Sequence, residues 1–223
     1  MSFDICGKRI LIMGLGLHGG GVGTARFFAK QGALLIITDL RTQDQLQKSI
    51  AKLKQYKGIT YVLGRHRKND VLHADVIVKN PGVPPTSPYL ALARHNHIPV
   101  TTDIGIFLRK SPATIIGVTG TRGKSTTSFL IFKFLELFFN ARHIKKGPRV
   151  FLGGNIRTSV LDFMDQVTPR DIIVLELSSF QFDDLDNYSW NNELAKRKSP
   201  HIAVLTNILR DHMNWHKSMR SYI

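Results

Sequence analysis

Apolar residues in this chain come in short, nearly continuous runs separated by stretches of mixed character. "RILIM" (9–13), "LLIIT" (34–38), "DVIVK" (75–79), "TIIGV" (114–118), "DIIVLEL" (171–177) and "HIAVLTN" (201–207) are all rich in Ile and Val. A strand covered on one face alternates, whereas a strand covered on both faces is apolar throughout, so these runs predict buried parallel strands. Between them lie helix-length segments, "GTARFFAKQG" (23–32), "DQLQKSIAKLKQY" (44–56) and "KSTTSFLIFKFLELFF" (124–139). That alternation predicts an α/β fold of the doubly wound kind. A Ser-Pro pair in "RKSPA" (109–113) divides the pattern, so two units are expected, residues 1–110 and 111–223. Phe129, Phe132, Phe134, Leu135 and Phe138 are expected to be core residues of the third helix.

Two glycine-rich turns interrupt this pattern at chemically useful places. "GLGLHGGG" begins at Gly14, directly after a predicted strand and before a helix, and Gly14, Gly16 and Gly19 satisfy G-x-G-x-x-G. Glycines there let a backbone approach a phosphate at a helix N-terminus, and Asp39, at the end of the next strand, could bind a ribose hydroxyl. A nicotinamide or flavin cofactor, another nucleotide, or a plain tight turn all remain open for this stretch, and Asp39 could be an ordinary polar strand end. "GVTGTRGKSTT" (117–127) follows another strand. Its glycines would turn backbone N–H groups towards phosphates, with Lys124 reaching the terminal phosphates and Ser125 a Mg²⁺ ion. The strict G-x-x-x-x-G-K-[ST] spacing fails, because Val118 stands at the first glycine. A glycine turn capping a helix is the alternative. "FLGGNI" (151–156), taken alone, reads as a turn.

Charge and composition narrow the classes. Hydrophobic residues make up 43% and charged residues 21%, ordinary for a globular protein. Thirty-one Lys and Arg against 16 Asp and Glu give a formal net charge of +15, a field that draws polyanions. The basic groups, "GRHRK" (64–68), "ARHIKKGPR" (141–149) and "AKRK" (195–198), carry no interleaved aromatic platform, so solvated loops and anionic small molecules are expected rather than a specific nucleic-acid partner. One cysteine, Cys6, cannot form an internal disulfide and fits a reducing compartment. No apolar run reaches the roughly 20 residues of a membrane span. The first residues, "MSFDICGKRI", lack a basic head followed by an apolar core. A cytoplasmic protein, with no membrane partner and acting as a monomer, is expected.

Taken together, the motifs resemble the Mur ligase family. The family's ATP loop, T-G-T-N-G-K-[ST]-T, is matched at Thr119 to Thr126 with Arg122 in place of Asn. "LELSSFQ" (175–181) is similar to the family's D-glutamate-adding branch. "TDLR" (38–41), "NPGV" (80–83), "GGNI" (153–156) and "TNILRDHMNWH" (206–216) follow in family order. The resemblance implies a Rossmann-like first unit holding a UDP-sugar, and a P-loop-type central unit holding ATP. It also reassigns the first glycine loop from a dinucleotide to the pyrophosphate of that sugar.

The implied reaction joins D-glutamate to UDP-N-acetylmuramoyl-L-alanine at the expense of ATP, through an acyl phosphate, in peptidoglycan precursor synthesis. The residues implied for the UDP-sugar are Gly16, Leu17 and His18 on the diphosphate, Asp39 and Arg41 at the uracil end, and Asn80, Pro81, Gly82 and Val83 along the same cleft. Asn155, Ser178 and Gln181 are implied on the muramoyl-alanine side. Gly120, Thr121, Gly123, Lys124, Ser125 and Thr126 are implied for ATP, and Lys124, Glu176 and His212 for catalysis. Ser125 and Glu176 would hold one Mg²⁺ and His212 would help hold a second. On the residues alone, Glu176 could be a strand-end acid and His212 a surface or capping histidine. His18 stands where the family has Thr, and Arg210 precedes Asp211-His212 where an acid or proline is usual. The family has three domains, so the resemblance also implies that this chain ends inside the second and does not turn over alone. A UDP-sugar-binding module without catalysis, an NAD-dependent oxidoreductase and a basic nucleic-acid binder are the competing classes.

Overall fold

The computed structural model describes residues 5–141, 147–156, 159–187, 199–216 and 218–222. The basic groups at 142–146 and 195–198 lie outside them. Two parallel sheets carry the fold. The first contains β1 (Arg9–Met13), β2 (Leu34–Asp39), β3 (Ile59–Leu63), β4 (Val76–Lys79) and the short β5 (Val100–Thr101). They lie side by side in the order β3-β2-β1-β4-β5, with Ile10 opposite both Leu35 and Val76. The chain leaves β1 in one direction to β2 and β3, then returns to its other side for β4 and β5. The strand order therefore reverses between β1 and β4, and a doubly wound sheet opens a crevice at such a switch point. Both the Gly14 loop, after β1, and the Asn80 turn, after β4, emerge at that crevice.

The helices of this unit are α1 (Gly20–Lys30), α2 (Gln43–Ala51), α3 (Lys68–Leu72), α4 (Pro88–His95) and α5 (Asp103–Lys110). α2 stops at Ala51, short of the expected Tyr56, because the last residues fold into turns closed by Leu53 and Tyr56 N–H groups on carbonyls three residues back. Its start is fixed by a Thr42–Gln45 capping box.

The second sheet contains β6 (Thr114–Thr119), β7 (Val150–Gly154), β8 (Ile172–Glu176) and β9 (Ile202–Leu205), in the order β7-β8-β6-β9, all parallel. β7 covers most of the stretch that reads alone as a turn. It becomes a strand by pairing with β8, Leu152 opposite Val174. Its glycines are needed there: a Cβ on Gly153 would lie 2.9 Å from the Phe163 ring, and one on Gly154 2.1 Å from the Glu176 carbonyl. The helices here are α6 (Lys124–Ala141), α7 (Ser179–Asn187), α8 (Met213–His216) and α9 (Met219–Tyr222), with 3-10 turns at Val160–Asp162 and Met164–Gln166.

One apolar core runs through both sheets. Ile10, Ile12 and Phe28 of the first unit and Ile115, Val160 and Leu175 of the second belong to the same buried cluster. α1 meets the Val160–Asp162 turn so closely that a Cβ on Gly23 would lie 2.2 Å from Ser159, and Arg26 Nη2 donates to Asp162 at 2.8 Å beside it. Phe107 of α5 meets the Phe163 ring edge-on at 5.5 Å.

The aromatics of α6 depart from expectation. Phe129, Phe134 and Phe138 are exposed, and of the helix's described residues only Ser128 is buried. The helix is apolar nearly all round, so one sheet cannot cover it. β9, at the edge of the second sheet, likewise exposes Ile202 and Leu205. Among the described residues no helix is long and apolar enough to cross a membrane.

Candidate functional site

The C-terminal ends of both sheets face a single cavity of about 800 Å³. Gly16, Leu17, His18, Asp39, Arg41, Asn80, Pro81 and Gly82 reach it from the first unit. Lys124, Asn155, Ser178, Gln181 and His212 reach it from the second. Gly120, Thr121 and Gly123 in the loop, Ser125 and Thr126 in the first turn of α6, and Glu176 at the end of β8 are not in the cavity lining.

On the first side, Asp39 is 3% exposed and knits two loops together. One carboxylate oxygen accepts from Gly16 N–H at 2.9 Å, and the other accepts from Arg41 N–H at 2.9 Å and Arg41 Nη1 at 3.4 Å. Ser49 Oγ donates to the Gly16 carbonyl at 2.8 Å. Gly14 (φ 96°) and Gly16 (φ 67°) hold left-handed backbone, and a Cβ on Gly14 would meet Asn80 Cβ at 2.9 Å. Asn80 packs over this loop and closes its own turn by accepting from Gly82 N–H at 3.1 Å.

His66 is a cavity residue that the charge run "GRHRK" hides. It hydrogen-bonds Thr38 Oγ1 through Nδ1, and its carbonyl accepts from the Tyr89 hydroxyl at 2.9 Å. Burial pushes its imidazole below the ordinary value, with Asp39 opposing. Reading "ITYVL" as a strand would have placed it, because residues just after a parallel strand sit at the ligand edge.

On the second side, Val118 pairs with Glu176, so the Lys124 loop and that carboxylate leave adjacent strands together. The loop is braced from beneath. Asn207 O accepts from Thr121 N–H at 2.9 Å, and Asn207 Oδ1 accepts from Arg122 N–H at 3.0 Å. The Thr121 hydroxyl is engaged with the Leu209 backbone and Tyr222, so that residue anchors the loop. Lys124 Nζ folds back on the loop, donating to the Gly120 and Thr121 carbonyls at 2.8 and 2.9 Å. The N–H groups of Lys124, Ser125 and Thr126 precede the first intrahelical bond, which Thr127 makes to Gly123, and are open to an anion.

Glu176 is 3% exposed. Its Oε1 accepts from Asn155 Nδ2 at 3.2 Å, while Oε2 is buried with no hydrogen-bond partner. An ionised oxygen left so is costly, and a cation beside the phosphate loop would satisfy it. Among the described residues no group of three or more His, Cys, Asp or Glu forms a ready metal cluster. A Mg²⁺ ion, however, characteristically takes one or two carboxylates and completes its shell from phosphates and water. The residues present fit that ion.

Ser178 and Gln181 have a structural task as well as a place in the cavity. Ser178 N–H donates to Gln181 Oε1 at 2.9 Å and Gln181 N–H donates to Ser178 Oγ at 3.4 Å, a capping box that starts α7. His212 is exposed, has φ 51°, stands 3.7 Å from Asp211, and lies against the Phe180 ring at 4.8 Å. Phe180 and Trp215, which fall within "LELSSFQ" and "TNILRDHMNWH" but have no role implied there, line the same wall with rings 4.5 Å apart.

Residues 8–102 match the Mur ligase MurD-like N-terminal domain, and residues 118–223 match the Mur ligase middle domain. The UDP-N-acetylmuramoylalanine–D-glutamate ligase of Borreliella afzelii is 42% identical over 221 residues, 99% of this chain and 44% of the relative. That of Treponema pallidum is 42% identical over 222 residues, 97% of this chain and 40% of the relative. The chain thus spans less than half the length of the curated relatives it matches. A solved UDP-N-acetylmuramate:L-alanyl-gamma-D-glutamyl-meso-diaminopimelate ligase from Neisseria meningitides shares the fold, with TM-score 0.55 and 18% identity, over 97% of this chain and 65% of that one.

Proposed function

The chain belongs to the Mur ligase family, and from that premise we propose that its two units bind a UDP-sugar and ATP face to face, as parts of a ligase that adds D-glutamate to UDP-N-acetylmuramoyl-L-alanine. The observation that carries this reading is the shared cavity, where the Gly14 loop and Lys124 open onto the same space. A donor phosphate and an acceptor carboxylate must meet within contact distance for transfer, and one cavity between two nucleotide loops allows that.

In this reading Gly16, Leu17 and His18 hold the diphosphate, and Arg41, braced by Asp39, faces the uracil end. Asn80, Pro81 and Gly82 close the cleft over them. Gly120, Gly123 and the N–H groups of Lys124, Ser125 and Thr126 cradle the phosphates of ATP, with Thr121 fixing the loop. Lys124 exchanges two bonds to neutral carbonyls for bonds to charged phosphate, which add direct attraction between opposite full charges. Ser125 and Glu176 would hold Mg²⁺ and His212 would help hold a second ion; the metal would supply charge neutralisation on the transferred phosphoryl group. Asn155, Ser178 and Gln181 orient the muramoyl-alanine carboxylate that receives the phosphate before the D-glutamate amine displaces it. The enzyme acts as a cytoplasmic monomer.

Calorimetry with UDP-N-acetylmuramoyl-L-alanine and with MgATP tests this. Both are expected to bind, and Lys124→Ala is expected to abolish ATP binding while leaving the UDP-sugar. Equal ATP affinity in wild type and variant, or tight NADH binding, would refute the reading. The 44% coverage of its relative favours a second reading for these 223 residues alone: binding of both ligands without turnover. Phosphate release with all three substrates separates the two, since sustained release excludes the second.

A further inference from the structure

Lys79 and Asp184 form an ion pair at the junction of the two units, with Nζ 2.5 and 2.6 Å from the two carboxylate oxygens. Their side chains are 0% and 1% exposed. Desolvating two charges is expensive, and an apolar pair in the same space usually gives equal or greater stability. Apolar contacts already join the two units: Phe107 and Phe163 pack across the junction, and Leu185, next to Asp184 in the chain, approaches Gly105. What an ion pair offers that an apolar contact does not is direction, because two oxygens gripping one ammonium fix both distance and angle.

The positions of the pair give that direction a use. Lys79 is the last residue of β4 and immediately precedes the Asn80-Pro81-Gly82 turn at the nucleotide loop. Asp184 lies three residues after Gln181 on α7, on the same helical face, and Gln181 lines the cavity from the opposite side. We propose that the Lys79–Asp184 pair is a positioning element that sets the spacing between the uridine-binding turn of the first unit and the sugar-side helix of the second. This rests on the reading of the cavity given above. A ligand that touches both units gains from their alignment through effective concentration, whereas a ligand that touches one unit gains nothing.

The test compares UDP, which meets only the first unit, with UDP-N-acetylmuramoyl-L-alanine, which spans both, by calorimetry on the 223-residue chain. Two variants are used: the apolar double variant Lys79→Met/Asp184→Leu, chosen so that neither member of the pair is left without the other, and the single variant Asp184→Asn. The expected result is UDP affinity within about twofold of wild type and a loss of about ten- to a hundredfold for the spanning ligand. Retention of the spanning ligand's affinity would overturn the proposal. So would a parallel fall for both ligands, or loss of folding in both variants, since either makes the pair merely structural. A wild-type chain that binds neither ligand would instead overturn the reading of the cavity. Positioning is then judged by small-angle scattering, where a larger radius of gyration in the double variant supports it and an unchanged one refutes it.

Discussion

Gly120→Ala is the sharpest single test of how the phosphate loop is held. Gly120 has φ 130°, a region almost closed to residues with a Cβ, and the added carbon would lie 2.2 Å from Thr206 Oγ1 and 2.8 Å from the Asn207 carbonyl. The backbone strain alone costs about 1–3 kcal/mol. Relief of the clash requires the 206–207 segment to move, which breaks the Thr121 N–H bond to Asn207 O and the Thr206 Oγ1 bond to Arg122 O. At about 1 kcal/mol for each bond, the total reaches about 3–5 kcal/mol, a large part of the roughly 5–15 kcal/mol that holds a domain folded. Gly123→Ala is the control. Gly123 has φ 82° but nothing within 4 Å of its Cβ position, so it bears only the left-handed penalty of about 1–2 kcal/mol. Urea unfolding of the two variants should therefore differ by about 2–3 kcal/mol, with ATP binding lost in Gly120→Ala. Equal stability of the two would refute the view that the 206–207 segment supports the loop.

The remaining expectations concern the carboxylates. Burial raises Asp103 to about 6, with its own backbone bonds and Lys79 opposing, so its contribution to stability is full below the unfolded value near 4 and is lost as pH rises through 6. The decline amounts to at most about 3 kcal/mol. Asp103→Asn should flatten the fall of the melting temperature between pH 4 and 6, and Asp184, which burial also raises with Lys79 opposing, contributes to the slope that remains. Asp171 moves the other way. The Arg149 guanidinium, with Thr168 assisting, holds its carboxyl well below the usual range, so its contribution is present above pH 4 and lost in strong acid. Asp171→Asn should lower the melting temperature at pH 7 and blunt the acid limb of the unfolding curve. Glu176→Gln removes the charge behind the unpartnered Oε2. The melting temperature should hold or rise, while calorimetric ATP affinity loses its dependence on Mg²⁺; a retained Mg²⁺ effect would exclude Glu176 as a ligand.

Strands buried on both faces announce themselves by composition, which is why β1, β2, β4, β6 and β8 can be read from the chain; β9 shares that apolar composition although it lies exposed at a sheet edge. β7 cannot, because "LGG" is a turn by itself, and only β8 beside it and the Phe163 ring against Gly153 make it a strand. β3 is an edge strand of mixed exposure, and with it His66 disappears into a basic run. The glycine loops carry their chemistry locally, so Lys124 and Gly16 are legible. The Lys79–Asp184 pair is not, since its members are 105 residues apart and each looks like an ordinary polar position. Ser178 and Gln181 show the converse. Their spacing alone, Ser-x-x-Gln before a helix, announces the capping box that the structure contains, beside any contact with a ligand.

Because the buried cluster is shared between the two sheets, the chain has no clean place at which to be recombined. A chimera joined at residues 111–113 would inherit Phe107 and Gly23 from one parent and Phe163 and Ser159 from the other, although each needs its own counterpart's shape. Related sequences exchanged at that junction should therefore yield mostly insoluble protein unless residues 159–163 travel with the first half. A substitution in one of those two patches should therefore need a matching change in the other to keep the junction packed.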